Sequence, residues 1–512
     1  MLRYFLALAF FCCNFAYYVP RIIGGFMSHP DWATAHKKKG TELRCIRGKY
    51  YLYEVSSVWD KVRKRPVKKT GKCLGTISKE EGFKPSKGRI TGNINDIVIN
   101  PKVFGAYFLF NELSKAWIEP LKKYFPDYWK QILCMVYSRL FKQSPIKNMH
   151  FFYEKSFYSE YFKNLPFSDK TVSKILKDIG SNQALSEAFM QKFISEKDVV
   201  MVDATPIFSK SKNIHEARLG YNNKKQWDTQ VNLLYFYSSN SAAPLFFKLS
   251  PGDVREVKTF QSALLSSGIK DAVLVGDKGF TSQLNIDIIE DNEISYILPL
   301  RRNNTHIDYS SITAGKTTMQ SYFKFKNRYI WYTSQNHDNN RRVTLFLDEQ
   351  LRVSEEHDYL NRIEKDPKKY SLEEFRTKQQ VMGTIAIIDN LPDKTPEDIY
   401  QTYKSRCEIE QLFDIFKNEL EADKTYMHSI ESLRGWMFIN HLAIVAYYRI
   451  YQLLKKTEIL NKVSVNDILE YLYHVNIVNI NGNWLTEKIS TKNEKILGKI
   501  GIKLPITWNR ES

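Results

Sequence analysis

Paired cysteines are scarce in this 512-residue sequence: its six, at 12, 13, 45, 73, 134 and 407, include no Cys-x2-Cys spacing and no neighbouring His pair. Neither a zinc site nor a disulfide framework is indicated, and a reducing compartment fits. Long apolar runs are also few. Arg3 followed by the run from Tyr4 to Val19 has the form of a secretory signal and is too short for a comfortable membrane span. Acidic residues are in deficit, 56 Asp and Glu against 75 Lys and Arg, a net charge of +19. Such an excess favours a polyanionic partner without saying which. What the chain does have is 43% hydrophobic and 14% aromatic residues, enough for a core and for more than one domain.

The basic excess is uneven. Residues 36 to 90 carry 17 Lys and Arg against 5 Asp and Glu, a net of +12 in 55 residues. Within them Tyr50 to Val58 and Val67 to Ile77 have the aromatic and β-branched content of strands, with DKVRKRP as the turn between. A basic hairpin of this kind can straddle a DNA backbone; the alternative is a solvated basic surface or a flexible arm. Residues 101 to 198 read as helices punctuated by Pro120, Pro126 and Pro145. Ser168 offers an N-cap and Gly180 a C-cap for DKTVSKILKDIG, whose Lys170, Lys174 and Lys177 lie off its apolar face. That pattern suits the recognition helix of a helix-turn-helix and equally an ordinary three-turn helix.

From Asp198 the pattern changes to alternating strands and helices. VVMVDATPIF places Asp203 at the centre or end of a buried strand, two further strand-like runs and a helix from Glu256 to Ser266 follow, and Asp277 ends the strand in AVLVGDKGF. Ser282 to Glu290 is helical and SYILPL again a strand, so a mixed α/β sheet is expected. Between Asp277 and Glu410, YFKFKNRYIWYTS, RRVTLFLDE and MGTIAIIDN read as strands, and Ser354 to Lys378 as helical or mobile. Trp331 is a possible wedge against an unstacked base or, as for most sheet tryptophans, a core residue. LRGWMFINHLAIVAYYRIYQLL is a long apolar helix, a buttress for the core or a subunit contact, and Arg434 and His441 argue against a membrane span.

The stretch Tyr403 to Lys417, YKSRCEIEQLFDIFK, reads as one helix. At about 100° per residue Tyr403, Arg406, Glu410 and Lys417 project within roughly a 60° sector, beside an apolar sector of Ile409, Phe413, Phe416 and Leu420. A metal-binding carboxylate flanked by phosphate-binding groups has this form, and so does a plain i,i+4 pair of Arg406 with Glu410. Two aspartates at strand ends and a helix-borne glutamate together have little structural rationale without cations, because like charges held close repel. Phosphodiester cleavage needs an activated oxygen, a stabilised leaving oxygen and a neutralised phosphate, which two Mg²⁺ ions on hard oxygen ligands supply.

The spacing Tyr-x2-Arg-x3-Glu-x6-Lys, with MVDAT around Asp203, GYN, SPGDVREVKTF, and VGDKGFTS around Asp277, resembles the DDE transposases of bacterial insertion sequences, in the group named for insertion sequence four. The resemblance spans about residues 200 to 450. It implies an α/β, ribonuclease H-like catalytic core interrupted by a β-rich insertion and preceded by a basic, partly helical DNA-binding region. It also implies a catalytic, metal-binding triad of Asp203, Asp277 and Glu410, two Mg²⁺ ions that Mn²⁺ can replace, and contacts from Tyr403, Arg406 and Lys417 to the terminal phosphates of the transposon end. Cys407 stands where related chains often carry a bulkier residue.

The expected organisation is a dispensable or mis-started segment over 1–26, just ahead of Met27, a basic hairpin region over 27–100 and a helical DNA-binding region over 101–197. The core then falls in two parts, 198–300 and 391–455, around an insertion over 301–390, with a helical C-terminal region over 456–512. The expected function is metal-dependent cleavage at insertion-sequence ends and strand transfer into target DNA by a cytoplasmic, nucleoid-associated protein. Its partner is double-stranded DNA, bound as a homodimer and without membrane. The alternative is a catalytically idle, domesticated DNA-binding protein of the same fold.

Overall fold

The computed structural model describes residues 29–60, 63–86, 100–221, 227–253, 256–337 and 340–508. The segment 1–26 and parts of the GYN and SPGDVREVKTF stretches lie outside them. The chain divides into two compact units, Met1–Val98 and Ile99–Ser512.

In the first unit β1 (Thr41–Ile46), β2 (Lys49–Asp60), β3 (Arg65–Ser78) and β4 (Gly82–Pro85) form an antiparallel meander. Leu43, Leu52 and Ile77 face one side and close on Ala33 of the short helix Asp31–Thr34. Both strands of the expected hairpin are present and longer than the aromatic and β-branched runs that announced them.

The second unit opens with β5 (Lys102–Val103) and the helices Gly105–Tyr124, Trp129–Lys142, Ile146–Lys155, Asp169–Ser181 and Gln183–Gln191. Pro120 does not end the first of these, which runs on to Tyr124. Ser168 caps Asp169–Ser181, its hydroxyl accepting the Thr171 amide at 3.2 Å. Gly180, expected as the C-cap, is instead helical and buried. A Cβ there would run into the Glu431 carbonyl oxygen, and one on Gly435 would run into the Leu176 carbonyl oxygen. The two glycines are therefore where Asp169–Ser181 and the 27-residue helix Ile430–Lys456 cross backbone to backbone. Val172, Ile175, Leu176 and Ile179 are buried, while Lys170, Lys174 and Lys177 face water.

The central sheet contains β6 (Val199–Ser209), β7 (Arg218–Tyr221), β8 (Trp227–Ser238), β9 (Ala243–Pro251), β10 (Val273–Val275), β11 (Ser295–Pro299), β12 (Ser321–Phe325), β13 (Arg328–Asn336), β14 (Arg342–Asp348), β15 (Thr384–Asp389) and β16 (Lys424–Thr425). β8 lies antiparallel between β6 and β9, whereas β10 is parallel to β6 and β11 parallel to β10. The helices Glu256–Ser267 and Gln283–Asp291 make the two parallel connections. The strands expected as an insertion do not fold apart as a sheet of their own: β15 is antiparallel to β11, and β14, β13 and β12 extend the same sheet outward. Trp331 is half-buried on β13 against Tyr322, ring centroids 5.0 Å apart. Ser354 to Lys378 is largely helical, in Glu349–Lys365 and Leu372–Gln379. The C-terminal region, expected as helical, also supplies β17 (Asn476–Ile480), β18 (Asn483–Thr486) and β19 (Thr507–Trp508), and β17 pairs with β5.

Ile430–Lys456 is the buttress of this sheet, with residues such as Leu433, Met437, Ile444 and Ile450 buried along its length. His441 lies inside it, 2.5 Å from the Tyr235 hydroxyl of β8, and burial pushes its imidazole down to about 3. The ring is thus neutral and shares one hydrogen bond with the tyrosine hydroxyl, whose direction is set by the imidazole tautomer. Among the described residues no helix is long and apolar enough to cross a membrane.

Because the crossing is backbone against backbone, neither helix can yield a methyl's worth of space by changing a rotamer. Gly180→Ala and Gly435→Ala are each expected to destabilise the protein by about 2–3 kcal/mol, read as a lowered urea midpoint. Unchanged midpoints for both would show that the helices separate at little cost.

Candidate active site

Asp203 sits in the middle of β6, opposite Tyr235 of β8, where Val200, Met201, Val202 and Ile207 bury the strand around it. β10 runs parallel to β6 with Val275 level with Met201. Asp277 follows two residues after the end of β10, near enough to Asp203 for its charge to raise that carboxyl. Asp277 precedes a short 3₁₀ turn, Lys278–Phe280, and its side chain makes no capping hydrogen bond. The ordinary reason for an aspartate at a strand end is absent.

Glu410 and Arg406 come from across the sheet, on a helix that is not the single rod its sequence suggests. Pro396–Lys404 ends, Ser405 and Arg406 form a turn, Cys407–Asp414 follows, and Ile415–Glu419 is a π-helical turn. Around the break the amides bond three residues back rather than four, Arg406 to Tyr403 at 3.1 Å and Glu408 to Ser405 at 2.9 Å. A tightened turn advances about 120° per residue, so the sector drawn on an ideal helix does not hold over its whole length. Ile409, Leu412, Phe413 and Phe416 are buried, as the apolar sector requires.

The guanidinium of Arg406 joins two of the three acids, donating to Asp203 Oδ2 at 3.2 Å and to Glu410 Oε1 at 2.9 Å. Its side chain is 17% exposed, that of Asp203 20% and that of Glu410 58%. The i,i+4 pair foreseen as the plain reading is present, therefore, but as half of a bridge reaching into the sheet. Burial pushes the Asp203 carboxyl up to about 6; the Ala204 amide and Arg406 pull it down, and Asp277 and Glu410 push it up. Burial disfavours the Arg406 cation, yet Asp203, Asp277, Tyr403 and Glu410 together hold its proton more firmly than usual. Tyr403 is raised by burial, lowered by Arg406 and raised by Asp277 and Glu410. Asp203, Asp277, Glu410, Arg406 and Tyr403 thus share one electrostatic neighbourhood. Lys417 is carried on the π-helical turn and lies over the Phe413 ring, 5.9 Å from its centroid.

The donor chemistry suits a hard divalent cation: three carboxylates, one of them made reluctant to ionise chiefly by burial and further by the other two. Among the described residues no three His, Cys, Asp or Glu stand close enough to hold an ion between them. In this arrangement Arg406 supplies the positive charge between Asp203 and Glu410.

Sequence reading missed the residue that anchors the end of this helix. Arg139, 3% exposed, donates to the Leu420 carbonyl oxygen just past the π-helical turn, to Asn440 Oδ1 at 2.9 Å and to Gln143 O at 2.5 Å, and stacks on Trp436 at 4.7 Å. Burial lowers its guanidinium to about 10. No local signal marks it, because in WKQILCMVYSRLF it reads as one more charged residue on a helix.

A carboxyl that ionises at about 3.9 in an unfolded chain and at about 6 in the folded one binds more protons when folded between those values. Its contribution to stability therefore falls as pH rises through that window. In metal-free buffer Asp203→Asn removes this penalty, so its unfolding free energy is expected to gain on wild type by on the order of 1–3 kcal/mol between pH 4 and pH 7. A wild-type-to-variant difference in urea midpoint that stays constant over this range would contradict the burial argument.

The family model described as transposase DDE domain matches residues 194–446, a stretch that contains Asp203, Asp277, Tyr403, Arg406, Glu410 and Lys417. No curated protein matches the chain. Among solved structures it is similar to a piggyBac transposase, determined by cryo-electron microscopy as a synaptic complex with hairpin DNA. Identity is 10%, the TM-score 0.37, and the match covers 72% of this chain and 70% of that one. Residues 194–446 of this chain belong to the transposase DDE domain family.

Proposed function

We propose that the chain is a metal-dependent DNA transposase with a ribonuclease H-like core, which nicks at element ends to expose a 3′-hydroxyl and directs it at target DNA. One observation carries this reading. Asp203 lies on β6, Asp277 follows two residues after the end of the parallel neighbour β10 and couples electrostatically to Asp203, and Arg406 on the facing helix bonds both Asp203 and Glu410. The strand order β9, β8, β6, β10, β11, an antiparallel meander with two parallel strands added beyond its first, supports the ribonuclease H-like assignment.

Asp203, Asp277 and Glu410 would hold the cations, which when bound activate the attacking oxygen, stabilise the leaving oxygen and neutralise the phosphate. Asp203, fixed in the sheet, sets the position of the site, while Glu410, on the helix and more exposed, is the ligand best able to adjust. Arg406 and Tyr403 border the carboxylates and are placed to meet the phosphates of the element end, with Lys417 further along the helix. The DNA is double-stranded, with two copies of the chain engaging two ends.

Asp203→Asn, Asp277→Asn and Glu410→Gln are each expected to reduce Mg²⁺- or Mn²⁺-dependent cleavage of end-containing DNA to below a few per cent while leaving end binding nearly intact. Retained cleavage in any one removes that residue from the site. Wild-type chain that binds and never cleaves would leave the idle DNA-binding protein as the reading.

The cations on the helix make a separate prediction. Each phosphate contact releases counterion, so Lys417→Ala or Arg406→Ala should weaken end binding and flatten log affinity against log salt by about one unit. Glu410→Gln without divalent metal should leave the slope alone. Unchanged slopes for both cation variants return this face to an ordinary charged surface.

A further inference from the structure

The β2–β3 hairpin outruns its own sheet. β1 pairs with β2 only as far as Glu54, and β4 pairs with β3 only from Gly75 onward. The pairs from Val55 with Thr70 to Asp60 with Arg65 therefore form a two-stranded ribbon with no third strand at either edge among the described residues. At about 3.4 Å per residue it projects about 20 Å.

Cross-strand partners share a face, so the ribbon has two unlike sides. On one, Trp59 pairs with Pro66 and Ser57 with Lys68, and Lys68 is taken up by Glu42 at 2.6 Å. On the other, Val58 pairs with Val67 and Ser56 with Lys69, and Arg65 stands opposite Asp60. Asp60 is turned to the loop, where its carboxylate accepts the Arg63 amide at 3.1 Å. Arg65 and Lys69 are exposed and form no ion pair with a carboxylate among the described residues. Val58 is 52% exposed. This second face is thus an apolar centre with an exposed cation at each end, neither of them in an ion pair among the described residues, on an element narrow enough for a groove.

We propose that this face lies along the major groove of duplex DNA, with Val58 and Val67 against base edges and Arg65 and Lys69 reaching phosphates or guanine edges. The major groove, about 12 Å wide, admits a two-stranded ribbon, and its floor offers the thymine methyl groups that an apolar contact recognises. The inference rests on the DNA-directed reading above and concerns a part of the chain that the match to residues 194–446 does not cover.

The test uses the full chain, a 30-base-pair random-sequence duplex, and a single strand of equal length, with affinity followed by fluorescence anisotropy over a sodium chloride series. The double variant Arg65→Ala with Lys69→Ala is expected to weaken duplex binding on the order of tenfold or more and to lower the salt slope by about two units. The double variant Arg65→Lys with Lys69→Arg, which keeps both charges, should retain the slope. Trp59→Ala and Lys68→Ala, on the opposite face, should bind within about twofold of wild type. Wild type should protect guanine N7 from dimethyl sulfate, because that atom lies in the major groove, and the alanine double variant should not. An unchanged slope for that variant, equal losses from the two faces, a larger loss on the single strand, or protection of adenine N3 instead of guanine N7 would each overturn the proposal. A chain that binds duplex through this face but cleaves no DNA supports the ribbon and removes the transposase reading. A chain that cleaves while the alanine double variant binds as wild type removes the ribbon alone.

Discussion

A carboxylate placed in the middle of a buried strand obliges its surroundings to supply positive charge. Asp203 lies among Val200, Met201, Val202 and Ile207, where ionisation is disfavoured, and Asp277 and Glu410 make it less favourable still. Arg406 meets that demand from across the sheet. To do so the helix that carries it must lie against β6, which fixes the side on which Ile409, Leu412 and Phe413 pack. The tightened turn at Ser405 and Arg406 and the π-helical turn after Asp414 re-aim the polar residues relative to this apolar anchor. An even α-helical advance does not describe both runs at once.

Holding that helix in place is the work of layers behind it. Ile430–Lys456 packs along β8 and β9 through residues such as Tyr235, Phe247 and His441, and Asp169–Ser181 crosses it at Gly435 and Gly180. Arg139 then connects Trp129–Lys142 to Asn440 on the long helix and to the Leu420 carbonyl. A fully buried arginine is costly unless its donors are met, so the clamp restricts how the end of the π-helical turn can lie. In this way the helices of 101–198 help to position the helix that carries Arg406 and Glu410.

Much of the core was legible in advance because its signals are local. Strands with β-branched and aromatic runs, such as β6, β10, β13 and β14, announce themselves within a few residues. So do helices with a serine at their start, such as Asp169–Ser181 and Gln283–Asp291. Gly180 was misjudged because a glycine near a helix end usually marks a left-handed cap, and nothing local distinguishes that from a close approach by a distant helix. Pro120 was misjudged because one missing amide bond does not stop a helix whose Leu113, Trp117 and Leu121 are held by the core.

The sequence by itself determined the basic balance and the strand and helix types, and it put Asp203 on a strand, Asp277 just after one and Glu410 on a helix, since these follow from the residue order. Only the tertiary structure decided how they meet. Asp277 comes near Asp203 because β10, just before it, pairs parallel with β6, strands more than sixty residues apart in the chain, and such register is set by long-range packing. Arg406 reaches Asp203 across 203 positions. The joining of β12 to β15 onto the central sheet belongs to the same class, because a strand's pattern shows which face it buries and not which neighbour it takes.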